Sequence, residues 1–415
     1  MLKAELCWQV AVVAGNSMKI RILSLTTVYP TPQEPGLGVF VRTRLQHMAA
    51  HADLKVMAPI PILNYRLRLL HWRRVVPERR WDEAVEVICP RWIYPPRAGA
   101  WNAVFLFLQV LKPIVWTRRG FPFQIIDAHF AHPEGVAAAL LSVVLGCPFT
   151  ITLRGSEQLH GRHWLRRKWM GWALRRAVRV IAVSERLRKF AISLGAPPSR
   201  AVTIPNGIDA EVFRPQDRAA SRAEYGIGSE ERVIVSAGHL IQLKGHHRIV
   251  RALPGLVGAG MDVALLIAGG RGRAGDYEPV LRRDVAALGL ENRVRFLGHL
   301  QPAALARLMS AADVVCLASS REGWPNVLHE ALACGTPVVA ADVGAVPEMI
   351  PSEAYGIIVA PDDVTALETG LKKALAQPWD RTAIARWGQT RSWQQVAAEV
   401  LREMGSALEE CGNVR

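Results

Sequence analysis

The stretch Glu322-Gly-Trp-Pro-Asn-Val-Leu-His-Glu330-Ala-Leu-Ala-Cys-Gly-Thr-Pro337 constrains the fold of this chain most. Before it, residues 313–319 (DVVCLAS) read as a buried strand. After it, residues 336–341 (TPVVAA) read as the next one. Between them lies a helix start. Gly323 permits a tight loop, Pro325 has no N–H to lose, and Asn326 sits at the first turn. Gly335 and Pro337 end the helix. The unit is strand, loop, helix, strand. It places Glu322 past the carboxyl end of a strand, where open α/β sheets bind ligands, and Glu330 about one turn into the helix. Unpaired N–H groups at such a helix start suit phosphate, and a carboxylate just inside it can accept hydrogen bonds from a sugar diol. The spacing alone fits a helix-capping Glu beside a solvated one equally well.

Taken whole, the pattern resembles the E-x7-E signature of retaining nucleotide-sugar glycosyltransferases of family 4 (glycosyl transferases group 1). That family is α/β and has the GT-B fold, two Rossmann-like domains facing across a cleft. The resemblance implies that Glu322 contacts the donor sugar hydroxyls and Glu330 the ribose, with Asn326 and Val327 at the nucleotide-facing helix start. It extends over about residues 20–405.

A chain of 415 residues is long enough for two such domains with full cores. Its charge is uneven. Residues 1–210 hold 29 Lys and Arg against 12 Asp and Glu, whereas residues 211–415 hold 22 against 24. The basic half is expected to meet a polyanion such as anionic lipid or a phosphorylated substrate. Six scattered cysteines without a C-x-x-C pair read as reduced thiols of a cytosolic protein, with neither a disulfide frame nor a metal site expected. No membrane span is convincing. Gly146-Cys147-Pro148 breaks the apolar run from Gly135 to Leu153, and Lys112-Pro113 is expected to end the short run Val104–Leu111.

Along the chain, residues 1–17 read as an extension or a mis-called start before Met18. A signal peptide fits less well, because Gln9 interrupts a short apolar run. Residues 19–25 form a first Rossmann-type strand, and Gly38 lies in the loop that follows, where backbone can approach a ligand. Residues 64–80 and 162–189 mix cations with Tyr and Trp. Each fits an interfacial membrane element or a solvated face. His129 falls past a strand ending at Ile125-Ile126, with Asp127 before it and His132 as a second candidate. The family carries a His beside the donor sugar at this place, and His129 matches it. Arg154 stands in a T-x-[R]-G turn where the family commonly has His. A strand-end Arg could clamp a phosphate or carboxylate. Residues 204–209 (IPNGID) match the segment that closes the family's first domain, and a hinge is expected between Asp209 and Glu230.

The second domain opens at residues 232–245. The family pattern there is G-R-L…K-G, with Arg and Lys on the donor diphosphate. Lys244 matches the Lys, whereas His239 replaces the Arg and cannot form a bidentate clamp. Arg271 or Arg273 could compensate. The expected domains are therefore 18–210 for the acceptor, 211–390 for the nucleotide sugar, and a helix in 391–415 that returns to the first domain.

The resemblance implies a retaining, metal-independent hexosyltransferase with no cofactor beyond its co-substrate. The donor would be a UDP- or GDP-type sugar, and the catalytic residues His129 and Glu322. The acceptor would be lipid-linked or a glycan, in bacterial exopolysaccharide, lipopolysaccharide or wall-polymer synthesis. The expected location is cytoplasmic, peripheral on the inner face of the plasma membrane. No nucleic-acid reading motif is recognisable, so that partner is not expected. Two rivals remain: a nucleotide-sugar 2-epimerase of the same fold, and an inactive sugar- or lipid-binding scaffold, for which His239 is the hint.

Overall fold

The computed structural model describes residues 19–61, 76–93, 99–272 and 275–413. The extension at 1–17, most of the basic segment 64–80, and Arg273 lie outside them.

Apolar strands with short turns build two parallel sheets. In the first half these are β1 (Arg21–Leu25), β2 (Asp53–Met57), β3 (Ile60–Pro61), β4 (Arg79–Asp82), β5 (Val85–Ile88), β6 (Arg91–Trp92), β7 (Ile125–His129), β8 (Phe149–Leu153), β9 (Arg179–Ala182) and β10 (Ala201–Thr203). Eight of them form one sheet in the order β10-β9-β8-β7-β1-β2-β5-β4, parallel except for the β4–β5 hairpin. The pair β3–β6 stands apart. The second half supplies β11 (Arg232–Ala237), β12 (Val263–Ala268), β13 (Val294–Gly298), β14 (Val314–Leu317), β15 (Val338–Ala341) and β16 (Gly356–Val359). Their order is β13-β12-β11-β14-β15-β16, all parallel. The inner strands β7, β8, β9, β12, β14 and β15 are buried along their whole length. This is what near-continuous Val, Ile, Leu and Ala runs predict for strands covered by helices on both faces. The protein consists of two Rossmann-like α/β domains.

Chain crossings between the domains run side by side. Ile208 N–H donates to the Arg391 carbonyl at 2.9 Å. Ile204 belongs to the first domain's core and Ile208 to the second's. The change of domain therefore comes just before the expected interval 209–230. The final helix, Trp393–Asn413, buries Trp393, Val396, Val400 and Met404 among Ile22, Leu45 and Val56 of the first domain.

The apolar run Val104–Leu111 is part of a longer helix, Asn102–Gly120, which continues through Pro113. Val110, Ile114 and Thr117 on both sides of the proline are buried in one core, and that packing outweighs the lost backbone hydrogen bond.

Candidate active site

Strands β11 and β14 are neighbours whose onward connections diverge, β11 toward β12 and β14 toward β15. Loops leaving their carboxyl ends therefore separate and open a crevice. The loop after β11 brings Lys244 into it, and the loop after β14 brings Glu322. Lys244 Nζ and Glu322 Oε1 lie 2.6 Å apart. Ser319 Oγ donates to the same carboxylate oxygen at 2.8 Å. The two charges expected to serve a donor thus neutralise each other here. His239 sits on the rim. Partial burial, then the charge of Lys244, then His299 lower its pKa, so its ring is neutral at pH 7.

The helix Asn326–Ala333 starts at this crevice. Val327 packs on the second domain's core. Glu330 is half-buried, and among the described residues no donor reaches its carboxylate. Burial pushes its pKa up to about 7.

The first domain repeats the arrangement at β1 and β7. Thr27 in the loop after β1 donates its N–H (3.0 Å) and its hydroxyl (2.5 Å) to Oε1 of Glu134, in the segment after β7. Oε2 of Glu134 is buried and unpartnered among the described residues, and burial raises this carboxyl's pKa to about 7. Gly38, with φ +66°, ends the β1 loop. A Cβ there would meet the Val28 carbonyl oxygen at 2.3 Å, so only glycine permits this entry into the helix Val39–Ala49. That helix buries Val41, Arg44, Leu45 and Met48 on one face. Arg44 reaches Asp127 Oδ2 at 2.6 Å and Thr152 Oγ1 at 3.0 Å.

His129 is the last residue of β7 rather than a residue beyond it, and it is fully buried. Its Nε2 lies 3.2 Å from Asp127 Oδ2, and Arg154 donates to Nδ1 at 3.3 Å from Nε. Burial, then Arg44, lower its pKa to about 3. The ring is neutral, with its proton on Nε2 facing Asp127. Both nitrogens are engaged, so the expected direct contact of this side chain with a sugar is not open in this geometry. Arg154 also departs from expectation. It is 8 % exposed, and its guanidinium is used on His129, on Asn206 Oδ1 at 3.2 Å and on the Phe40 ring at 5.0 Å. It is a buried strut and does not face the cleft as an anion clamp. His132 is likewise buried, edge-on to His160.

The two half-sites meet directly. Asn206 Nδ2 donates to Asn326 Oδ1 at 3.0 Å, so the Arg154 contact continues to the helix start of the other domain. A Cβ on Gly323 would lie 1.9 Å from the Arg154 carbonyl oxygen, and one on Gly155 would lie 2.7 Å from Gly323 Cα. The two loops touch backbone to backbone. Trp324 packs against the cores of both domains. Glu348 accepts from Glu185 N–H at 2.9 Å, at the start of a first-domain helix.

Comparison with known proteins agrees with this layout. The family model described as Glycosyltransferase Family 4 matches residues 63–212, and that described as Glycosyl transferases group 1 matches residues 217–391. The chain belongs to the group 1 glycosyltransferases of GT-B type. It is 35% identical over 217 residues to a D-inositol 3-phosphate glycosyltransferase of Mycobacteroides abscessus, covering 51% of this chain and 48% of that one. The Mycobacterium tuberculosis protein of the same name is 36% identical over 242 residues, covering 56% and 50%. The chain thus spans about half the length of the curated relatives it matches. Among solved structures, HepE from Anabaena in complex with UDP superposes with a TM-score of 0.71 at 22% identity, over 94% of this chain and 100% of that one. Sucrose-phosphate synthase from Thermosynechococcus elongatus gives 0.70 at 19%, over 95% and 98%. At these identities the structural likeness is one of fold.

Glu134 generates a pH prediction. Its pKa in the folded protein lies above the ordinary 4.5. Protonation therefore favours the folded state. That contribution is full below the unfolded value and is lost as pH rises through about 7. In Glu134→Gln, the fall of Tm between about pH 5 and about pH 8 should flatten by a few degrees relative to wild type. Parallel curves for the two proteins would show that Glu134 is ionised throughout.

Proposed function

We propose that the protein transfers a sugar from a UDP- or GDP-type nucleotide sugar to an acceptor held by the first domain, with retention at the anomeric carbon and without a metal ion. The observation that carries this reading is the Lys244–Glu322 pair at the switch point, beside the start of the Asn326 helix. Loss of the nucleoside diphosphate leaves negative charge on phosphate. Lys244 and the N–H groups of the helix start can take that charge. When Lys244 turns to a diphosphate, Glu322 is freed to accept hydrogen bonds from sugar hydroxyls, and Ser319 keeps it oriented. Glu330, without a partner among the described residues, suits the ribose diol. The acceptor hydroxyl would attack the anomeric carbon from the face the diphosphate leaves, as the bond to the phosphate oxygen breaks through an oxocarbenium-like state, and would pass its proton to that departing oxygen. His129 serves as a positioning residue: it holds Arg154, which holds Asn206 against Asn326. Gly38 keeps the β1 loop low over the cleft floor.

An anionic membrane surface is part of the proposal, with a lipid-linked or glycan acceptor of cell-envelope synthesis and a peripheral position on the inner membrane face. Support comes from one face of the first domain. The helices Asn102–Gly120, Val136–Leu145 and Trp164–Arg176 share one core. Their outer surface exposes Trp101, Leu108, Trp116, Val143, Val144 and Trp164. Lys112 lies over Trp116 and Lys168 over Trp164. Between residues 99 and 176 the acids are Asp127, Glu134 and Glu157, all buried. Apolar rings among cations with no surface acid suit anionic headgroups. None of the helices in the described residues is long and apolar enough to cross a membrane. A soluble polyol phosphate is the second acceptor reading, favoured by the name of the mycobacterial relatives.

A thermal-shift screen against UDP, GDP, ADP and their sugars tests the donor reading. One nucleotide class should raise Tm, and Lys244→Ala should abolish the effect. A flat response to all would sink the transferase reading in favour of a binding scaffold. Hydroxyl donation to Glu330 favours its ionised form, so nucleotide-sugar affinity should rise several-fold as pH passes upward through about 7, and Glu330→Gln should remove that rise. For the membrane reading, vesicles rich in anionic lipid should sediment the protein at low salt, and Lys112→Ser with Trp116→Ser should weaken this at least about threefold. Equal binding to zwitterionic vesicles would count against it.

A further inference from the structure

We propose that the cavity between the domains bounded by Arg162 and Arg321 binds a phosphate group carried by the acceptor. The word acceptor here rests on the reading above, while the anion site rests on geometry alone. The cavity has a volume of about 340 Å³, at the small end of ligand sites. Gln158 and Arg162 come from the first domain, and Leu243, Ser320, Arg321 and Asp362 from the second.

Its charges are unbalanced. Asp362 is already paired with Arg248. Glu322, next to Arg321, is held by Lys244 and Ser319. Among the described residues neither Arg162 nor Arg321 has an ion pair. Arg321 is close enough to Arg162 that its pKa falls, first through burial and then through that like charge. His160 senses the same field without adding charge to it: burial, then Arg166, then Arg321 lower its pKa to about 4, with a backbone hydrogen bond at His132 opposing. Two guanidiniums border one void with the nearby carboxylates engaged elsewhere. An anion with several acceptor oxygens satisfies both, and phosphate matches the fork geometry of Arg. Gln158 and Ser320 offer neutral donors beside it.

The position assigns this phosphate to the acceptor rather than the donor. Leu243 and Arg321 each precede a member of the Lys244–Glu322 pair, and Ser320 N–H donates to the Leu243 carbonyl at 3.0 Å, tying the two loops together. The cavity therefore adjoins the reacting pair, but its other wall is the first domain. The donor diphosphate is accounted for by Lys244 and the Asn326 helix start.

Calorimetry at low salt tests this with D-inositol 3-phosphate, myo-inositol, inorganic phosphate, UDP, and vesicles doped with a polyprenyl phosphate. At least one phosphorylated probe should bind at least about tenfold more tightly than myo-inositol. Arg162→Gln and Arg321→Gln should each weaken it about tenfold, with UDP affinity held within about twofold. Arg162 is exposed, so its variant keeps the fold even if the other does not. Binding of the soluble probe assigns the phosphate to a soluble acceptor, and binding of the vesicle probe alone assigns it to a lipid. Parallel loss of UDP would give the pair to the donor diphosphate and overturn the proposal. Phosphorylated probes that bind no better than myo-inositol, or equally well in the variants, would overturn it too. Because UDP is measured separately, its failure to bind would remove UDP as the donor nucleotide without deciding the phosphate site.

Discussion

A guanidinium buried where the domains touch holds the two half-sites together. The guanidinium of Arg154 has no carboxylate within hydrogen-bonding reach among the described residues; only its backbone N–H meets one, Glu157 Oε2 at 3.2 Å. It donates to a neutral His129 and to Asn206, and its plane lies near Phe40. Burial and the charge of Arg44 drive its pKa well below the usual arginine value, with Asp127 and Glu157 opposing. Placing such a charge in the interior costs several kcal/mol unless it is well compensated. Compensation here is a closed cluster. Arg44 pairs with Asp127, Asp127 orients His129, and His129 accepts from Arg154. Each member is held by the next, and the last contact, Asn206 to Asn326, reaches the start of the second domain's Asn326–Ala333 helix.

That cluster explains why the loops can meet through backbone alone. With Gly155 and Gly323 in contact, no side chain separates the first domain's floor from the loop of Glu322. Both crevices then open into one space. Its strongest charges are internally paired, Lys244 with Glu322. A diphosphate would compete for the lysine and release the carboxylate, so donor binding would itself prepare the sugar site. Arg162 and Arg321, which have no ion pair among the described residues, lie just beyond that pair.

Much of this was legible in the sequence, because strand periodicity and turn residues are local. The strands around Glu322 and the helix start at Asn326 follow from runs and punctuation, whereas the return of the last helix and the placing of Lys244 came with the family resemblance. What was hidden depends on which distant residues meet. Arg154 reads as a cleft cation because it ends a strand, yet the approach of residues 206 and 323 buries it. His129 reads as a free ring for the same reason. Arg44 did leave a signal: it is a charged residue at core-face spacing with Val41, Leu45 and Met48. A charge at such a position needs a buried partner, and Asp127 is the acid in reach. The helix that continues through Pro113 shows the opposite case, a local breaker overruled by packing.

The decisive measurement is a crystal structure of the protein with the nucleoside diphosphate that raises its Tm. The phosphates should lie at the N–H groups of the Asn326 helix start, with Lys244 Nζ moved from Glu322 onto a phosphate oxygen and Glu330 on the ribose. A nucleotide bound elsewhere, with the Lys244–Glu322 pair intact, would contradict it.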